Sequence, residues 1–322
     1  MKISALAVLL VALNIGTVEP VCAQAYPSAP LKIISDSAPG SAPDVILRIV
    51  ADQLGRHWGQ QTVVLNQPGA GGSLAVRAAS AAAADGYTLF MAVSSTFVSI
   101  KGDAPNIPVQ VPQDFQPVGL VSEQPMFITV SPLTEVHSLA DLVALAKQKP
   151  SEIAYAVAGR GRQSHLTGEL LERRAGIKLL VVPYSGGPAQ AMGDLSSGRV
   201  HMLIEGGTAL IGAMQAGHLR AIAVGSERRL AEFPDLAAAA ETIPQFRSAG
   251  WLALLAPLGT PDDIVGKVSG DLRKVLSQQE VRSKLAALGS YTHPLSSADT
   301  LEFIQTEQRT WGPILEDLAR TR

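Results

Sequence analysis

Ser37-Ala38-Pro39-Gly40-Ser41-Ala42-Pro43-Asp44 separates an apolar, strand-like run, Leu31 to Ile34, from an amphipathic, helix-like run, Val45 to Trp58. A tight turn that feeds a strand into a helix aims the first backbone N–H groups of that helix at one point, and such a point attracts carboxylate or phosphate. A comparable turn recurs downstream at Gly159-Arg160-Gly161-Arg162-Gln163-Ser164-His165. Two strand-to-helix loops this far apart, each fit to grip one end of a small anion, predict a cleft between two lobes.

The same alternation continues along the chain. Strands are expected at Leu31 to Ile34, Thr62 to Leu65, Thr88 to Val93, Phe127 to Val130, Ala154 to Val157, Leu179 to Val182, Val200 to Ile204, Ala221 to Val224 and Trp251 to Ala256. Helices are expected at Val45 to Trp58, Ser73 to Ala84, Ser138 to Lys149, Ser164 to Ala175, Pro188 to Ser197, Ala209 to Ala216, Pro261 to Leu276, Gln279 to Leu288 and Ser297 to Ala319. This order reads as α/β, with mainly parallel sheets flanked by helices. Ligands in such sheets sit beyond the carboxyl ends of the strands, so the loops after strands matter.

A chain of 322 residues exceeds one ordinary core. Lobe one is read as residues 26–124 plus 250–322 and lobe two as 125–249, with crossings near Val121 to Met126 and Ala249 to Pro257. Two crossings make a hinge that closes on a ligand; two sequential domains are the alternative. Residues 1–25 read as a cleaved signal peptide: Lys2 precedes the apolar run Ala5 to Leu13, and small residues surround Ala23-Gln24-Ala25. The expected location is therefore periplasmic. Cys22, the only cysteine, follows Val21 and not the small residue of a lipid-attachment signal.

Lys and Arg number 26 against 28 Asp and Glu, and aromatic residues make up 5%, so neither a basic face nor stacking platforms are available for nucleic acid. No cofactor is implied: Gly159-x-Gly161-x-x-Ser164 lacks the third glycine of a dinucleotide fingerprint, and Pro68 to Ser73 lacks the Gly-Lys-Ser/Thr ending of a phosphate-binding loop. His57, His137, His165, His201, His218 and His293 show no metal-ligand spacing. No metal is expected.

Candidate ligand-binding residues follow from these loops. Ser41 and Asp44 have capping-box spacing, so the first loop is expected to hold an anion through the backbone of Ser37, Ala38, Pro39, Gly40 and Ser41, with Asp44 engaged by the helix start. In the second loop Gly159 and Gly161 allow close backbone approach, while Arg160 and Arg162 can each clamp a carboxylate with paired hydrogen bonds. Gln163, Ser164 and His165 complete that loop, although a structural histidine is the simpler reading of His165. Tyr184, Ser185 and Gly186 form a third strand-to-helix loop, and Ser94, Ser95 and Thr96 follow another strand. Glu205 ends a strand and either caps locally or accepts a hydrogen bond from a ligand amine or hydroxyl. No Gly-x-Ser-x-Gly elbow is present, so no catalytic residue is named.

Tyr26-Pro27, Ala38-Pro39-Gly40 with Asp44, Asn66 to Gly72, Asp85 to Leu89, Ser164-His165-Leu166, Val182-Pro183-Tyr184, Ala216 to Ala221, Leu255-Ala256-Pro257 and Gly259-Thr260-Pro261 occur in order along the chain. That series resembles the tripartite tricarboxylate transporter solute-binding proteins, also called the Bug family. The resemblance implies a two-lobed type II periplasmic-binding-protein fold, a small organic carboxylate as ligand, and the membrane subunits of a tripartite tricarboxylate-type transporter as partner. It also implies that the loops matching Ser37 to Ser41 and Gly159 to Ser164 hold the carboxylate, partly through water. Where the family pattern reads Pro-Phe-Ala-Pro-Gly-Gly-Ser-Thr-Asp, this chain has Asp36 to Asp44, with Ser37 for Phe, Ser41 for the second Gly and Pro43 for Thr. Arg160, Arg162 and Gln163 replace smaller neutral residues. A monomeric, non-enzymatic binding protein is the expectation; a receptor serving a signalling partner and an exported hydrolase are the alternatives.

Overall fold

The computed structural model describes residues 26–69, 72–98, 109–157, 159, 161–184 and 188–320. The leader with Cys22, and Arg160, Ser185 and Gly186 among the candidate site residues, lie outside the described residues.

The first half of the chain gives β1 (Leu31–Ser35), α1 (Ala42–Trp58), β2 (Thr62–Asn66), α2 (Ser73–Ser80), β3 (Thr88–Val93), the one-turn α3 (Ser94–Phe97) and β4 (Phe115–Val130). Next come α4 (Leu139–Gln148), β5 (Ala154–Val157), α5 (Gln163–Ala175), β6 (Leu180–Pro183), α6 (Pro188–Ser196), β7 (Met202–Gly206), α7 (Gly207–Gln215) and β8 (Arg220–Val224). The chain closes with β9 (Ala249–Pro257), α8 (Asp262–Leu276), α9 (Gln279–Ala286) and α10 (Ser297–Arg320).

The strands run in the order β2-β1-β3-β9-β4-β7-β5-β6, with β8 also on β4. Within it β2, β1 and β3 are parallel, as are β6, β5 and β7. The strands that join these two groups, β4 and β9, run antiparallel to their neighbours. Phe115 to Pro125 of β4 pair with β9, and Met126 to Val130 pair with β7. One strand thus belongs to both halves, and its partner changes between Pro125 and Met126.

Period-two alternation explains the layers. Leu31, Ile33, Leu89, Met91, Leu252 and Leu254 face one side and pack with Ile46, Leu47 and Leu54 of α1 and Leu272 and Leu276 of α8. Ile34, Phe90, Ala92, Trp251 and Leu255 face the other, with Ala75, Phe97 and Trp311. In the second half Phe127, Ala156 and Leu203 meet Leu195 of α6 and Leu210 of α7, while Tyr155, Val157 and Ile204 meet Leu142, Leu166 and Leu170. Each fully buried leucine or phenylalanine stabilises by roughly 1.5–3 kcal/mol, so both faces of each half-sheet must be covered.

Two expectations need correction. Strand β4 begins at Phe115, twelve residues before the expected Phe127, because Pro117, Gly119 and Pro125 read as breaks in sequence. The pairing shifts register between Pro117 and Gly119 and again between Leu120 and Ser122, which absorbs those residues as bulges. Helix α2 stops at Ser80, short of the expected Ala84: the Ala81 N–H turns back to the Arg77 and Ala79 carbonyls. The chain then bends through Asp85-Gly86 into β3, with the Asp85 carboxylate accepting the Tyr87 N–H at 2.9 Å.

Candidate functional site

A cavity of about 500 Å³ lies where the two half-sheets meet, beyond the carboxyl ends of β3, β5 and β7. Ser94, Ser95 and Val98 line it from the β1–β3 side. Gly161, Arg162, Gln163, Ser164 and Leu166 line it from the start of α5, and Glu205 and Gly206 from the end of β7. Its floor is the crossing itself: Gln124 and Met126 of β4, and Gly250 of β9.

The α5 wall is built by its loop. Gly159 at φ +140° and Gly161 at φ +74° hold backbone conformations that side-chain-bearing residues rarely adopt. This turn places Arg162 as N-cap, so the positive end of a thirteen-residue helix opens on the cavity. His165, which is 3% exposed, accepts the Gly161 N–H on Nδ1 at 3.0 Å and faces Glu169 with Nε2 at 3.6 Å. His165 is thus held at the start of α5 between Gly161 and Glu169. The Gln163 amide donates to Ser248 Oγ at 3.1 Å, and the Thr167 and Ser248 hydroxyls are 2.7 Å apart. Since the Met126 N–H donates to the Ser248 carbonyl, α5 is fastened to the crossing strands.

The first loop is organised otherwise than a capping box. Ser41 is the N-cap of α1, but its hydroxyl donates to the Ala38 carbonyl at 2.7 Å and accepts no N–H of the helix. Asp44 Oδ2 accepts the Gly40 N–H at 2.8 Å and Arg48 Nε at 3.0 Å, and Oδ1 accepts the Asn66 amide at 2.8 Å. Burial raises the Asp44 carboxyl, but the hydrogen bonds from Arg48, Gly40 and Asn66 outweigh it and hold the group below the ordinary carboxylate range. The loop's own N–H groups are largely spent: Ser37 donates to Ser35 Oγ, Gly40 to Asp44 and Ser41 to the Ala38 carbonyl. Pro39 has none. Ala38, Pro39 and Gly40 are exposed, and Ser37 to Ser41 are not among the residues lining the cavity.

Thr96 is 4% exposed and gives its hydroxyl to Asp36, which also accepts the Val93 N–H at 3.3 Å and the Ser37 hydroxyl at 3.3 Å. Burial pushes the Asp36 carboxyl up despite these donors. The first loop thus sits behind Ser94 and Ser95 and is tied to their turn through Asp36. Tyr184 is committed elsewhere: its hydroxyl donates to Asp194 at 2.5 Å, and Arg199 holds the same carboxylate.

Gln124 was not expected at the site. Its side-chain nitrogen is buried without a partner, and the residue lines the cavity. Its position opposite Gly250 in the register exists only once β4 is seen as one long strand. Among the described residues no group of three or more His, Cys, Asp or Glu side chains lies in a metal-binding arrangement, and no helix is long and apolar enough to cross a membrane.

Comparison with known proteins places this architecture. The family model described as "Tripartite tricarboxylate transporter family receptor" matches residues 46–319. Protein BugT of Bordetella pertussis is 34% identical over 305 residues, which cover 94% of this chain and 93% of BugT. The solved structure of Rpa4515 from R. palustris with adipate superposes with a TM-score of 0.72 at 28% identity, covering 91% of this chain and 98% of that one. MatC from Rhodopseudomonas palustris with bound malate gives a TM-score of 0.68 at 25% identity, with 90% of this chain and all of that one covered, 100%.

Proposed function

Because the chain belongs to the tripartite tricarboxylate transporter receptor family, we infer that it is an extracytoplasmic solute-binding protein that captures a small organic carboxylate and delivers it to a transporter of the tripartite tricarboxylate type. The observation that carries this reading is the cavity at the crossing, where the start of α5 with Arg162 faces Ser94 and Ser95. Helix N-termini, guanidinium groups and hydroxyls all favour a carboxylate. The adipate and malate in the two R. palustris relatives are ligands of that chemistry.

The finer features of the reading are as follows. Lobe one comprises 26–124 and 250–322, lobe two 125–249, and the lobes close about the β4–β9 crossing. The protein is exported to the periplasm with its leader removed, acts as a monomer, and binds without turnover. The fixed place of His165 against Gly161 and Glu169 supports the last point. Arg162 and Gln124 are the principal carboxylate donors, with Ser94 and Ser95 opposite.

A thermal-shift screen with adipate, malate, succinate and citrate tests the assignment. Ligand at a hundred times its Kd adds about 2.7 kcal/mol, or roughly 5 °C in melting temperature. No shift with any organic acid would overturn it.

A further inference from the structure

The cavity carries opposed charges that do not neutralise each other. Arg162 and Glu205 both line it and feel each other's field, since Arg162 lowers the Glu205 carboxyl that burial raises. Among the described residues no ion pair within 4.0 Å joins them. Glu205 Oε1 accepts the N–H of its neighbour Gly206 at 3.0 Å, while Oε2 has no partner among the described residues. Gln124 adds a buried, unpartnered amide nitrogen on the cavity floor.

These groups ask different things of a ligand. Arg162 and the amide nitrogen of Gln124 can only donate, so they suit a carboxylate. Ionised Glu205 can only accept. A second negative group laid against it would meet like charge in a partly desolvated place, whereas a positively charged donor would relieve the burial that now weighs on it. A plain dicarboxylate satisfies the donors and leaves Glu205 opposed. A ligand that carries both a carboxylate and an ammonium group satisfies all three.

Resting on the carboxylate reading above, we propose that the cavity selects an aminocarboxylate, with Glu205 receiving the ammonium while Arg162 and Gln124 hold the carboxylate. Glu205 is then the specificity-determining residue of the site. Its acceptor role depends on its place at the end of β7, beside the N-terminal turn of α7 and across from α5.

Isothermal titration at neutral pH with matched pairs, aspartate against succinate and glutamate against glutarate, tests this directly. The amino member of at least one pair is expected to bind roughly tenfold or more tightly, the size of one charge-assisted hydrogen bond. Glu205→Gln keeps the shape and an acceptor oxygen but removes the charge, and is expected to erase that preference by weakening the amino member and strengthening the plain dicarboxylate, which no longer meets like charge. Arg162→Gln is expected to weaken both members alike. The apo melting temperature and far-UV circular dichroism of each variant show that it is folded. Succinate and glutarate each binding as well as its amino partner overturns the proposal and leaves the carboxylate reading intact. So does equal loss of both members in Glu205→Gln, or malate binding as tightly as aspartate. Binding by no member of either pair overturns the proposal, and the carboxylate reading falls with it only when adipate, malate and citrate fail as well.

Discussion

Arg247 Nη1 donates to Glu307 Oε1 at 2.7 Å, and its other terminal nitrogen meets Glu123. One guanidinium therefore joins β4, the segment entering β9, and α10. Glu307 is 6% exposed, and its second oxygen accepts the indole N–H groups of Trp251 at 2.9 Å and Trp311 at 3.1 Å. Removing the carboxylate orphans both indole N–H groups and leaves Arg247 with Glu123 alone. Glu307→Ala is expected to cost about 3 kcal/mol, read as a lower urea midpoint at unchanged m-value. A loss under about 0.5 kcal/mol would show that the cluster contributes nothing.

Gly168 lets α5 lie directly on β5. A Cβ there would stand 2.3 Å from the Tyr155 hydroxyl oxygen and 2.4 Å from Cζ of a ring that is fully buried. The ring has no room to withdraw. Gly168→Ala is expected to destabilise by about 1–3 kcal/mol in spite of alanine's better helix propensity. An unchanged or higher melting temperature would contradict this packing.

Asp271 and Asp36 pull stability in opposite directions with pH. Burial raises Asp271, but hydrogen bonds from Lys267, Trp58, Lys274 and His57 together bring it well below the ordinary carboxylate range. Its folded pKa is depressed, so its stabilisation is fully present above roughly pH 4 and is lost as pH falls through the folded value. Asp36 is raised by burial, so its ionisation opposes folding: that cost is absent below roughly pH 4 and develops as pH rises through the raised value. Asp271→Asn is expected to lose about 2 kcal/mol at neutral pH, with the gap closing in acid. Asp36→Asn is expected to gain on wild type as pH rises. Melting curves from pH 3 to 8 check both signs, and parallel curves for either variant would contradict its assignment.

Gln124→Leu separates affinity from stability. The amide nitrogen is already unsatisfied, so replacing the side chain by an apolar one of similar size is expected to be neutral or mildly stabilising. Carboxylate affinity is expected to fall roughly tenfold if the nitrogen is a ligand donor. Unchanged affinity in titration calorimetry would remove Gln124 from the site.

What could be read in the sequence follows from how local each determinant is. The β1-to-α1 and β5-to-α5 turns declared themselves through glycine and proline next to clean period-two and period-3.6 patterns. Strand β4 did not, because Pro117, Gly119 and Pro125 look like punctuation until bulges and a distant partner accommodate them. Of the second loop, Gly161, Arg162, Gln163 and Ser164 line the cavity, with Ser94, Ser95 and Glu205 from other loops. Spacing could not show that Ser41 turns back to Ala38, that Thr96 is spent on Asp36, or that Tyr184 answers to Asp194. Each is a choice of partner among several within reach, fixed only by tertiary packing. Gln124 carried no signal, being an ordinary polar residue until its strand was placed.

The pairing of β3 with β9 bears on how the chain is made. Val93 finds its partner in Leu252, and Phe90 in Leu255, so the β3 edge stays open until nearly the whole second half has left the ribosome. An unpaired apolar strand edge recruits other strands, including those of neighbouring nascent chains. The first half-sheet thus cannot close until β9 has been made. The late-arriving strand that completes it also brings Gly250 to the cavity floor, so a truncated product loses its closed sheet and part of its cavity together.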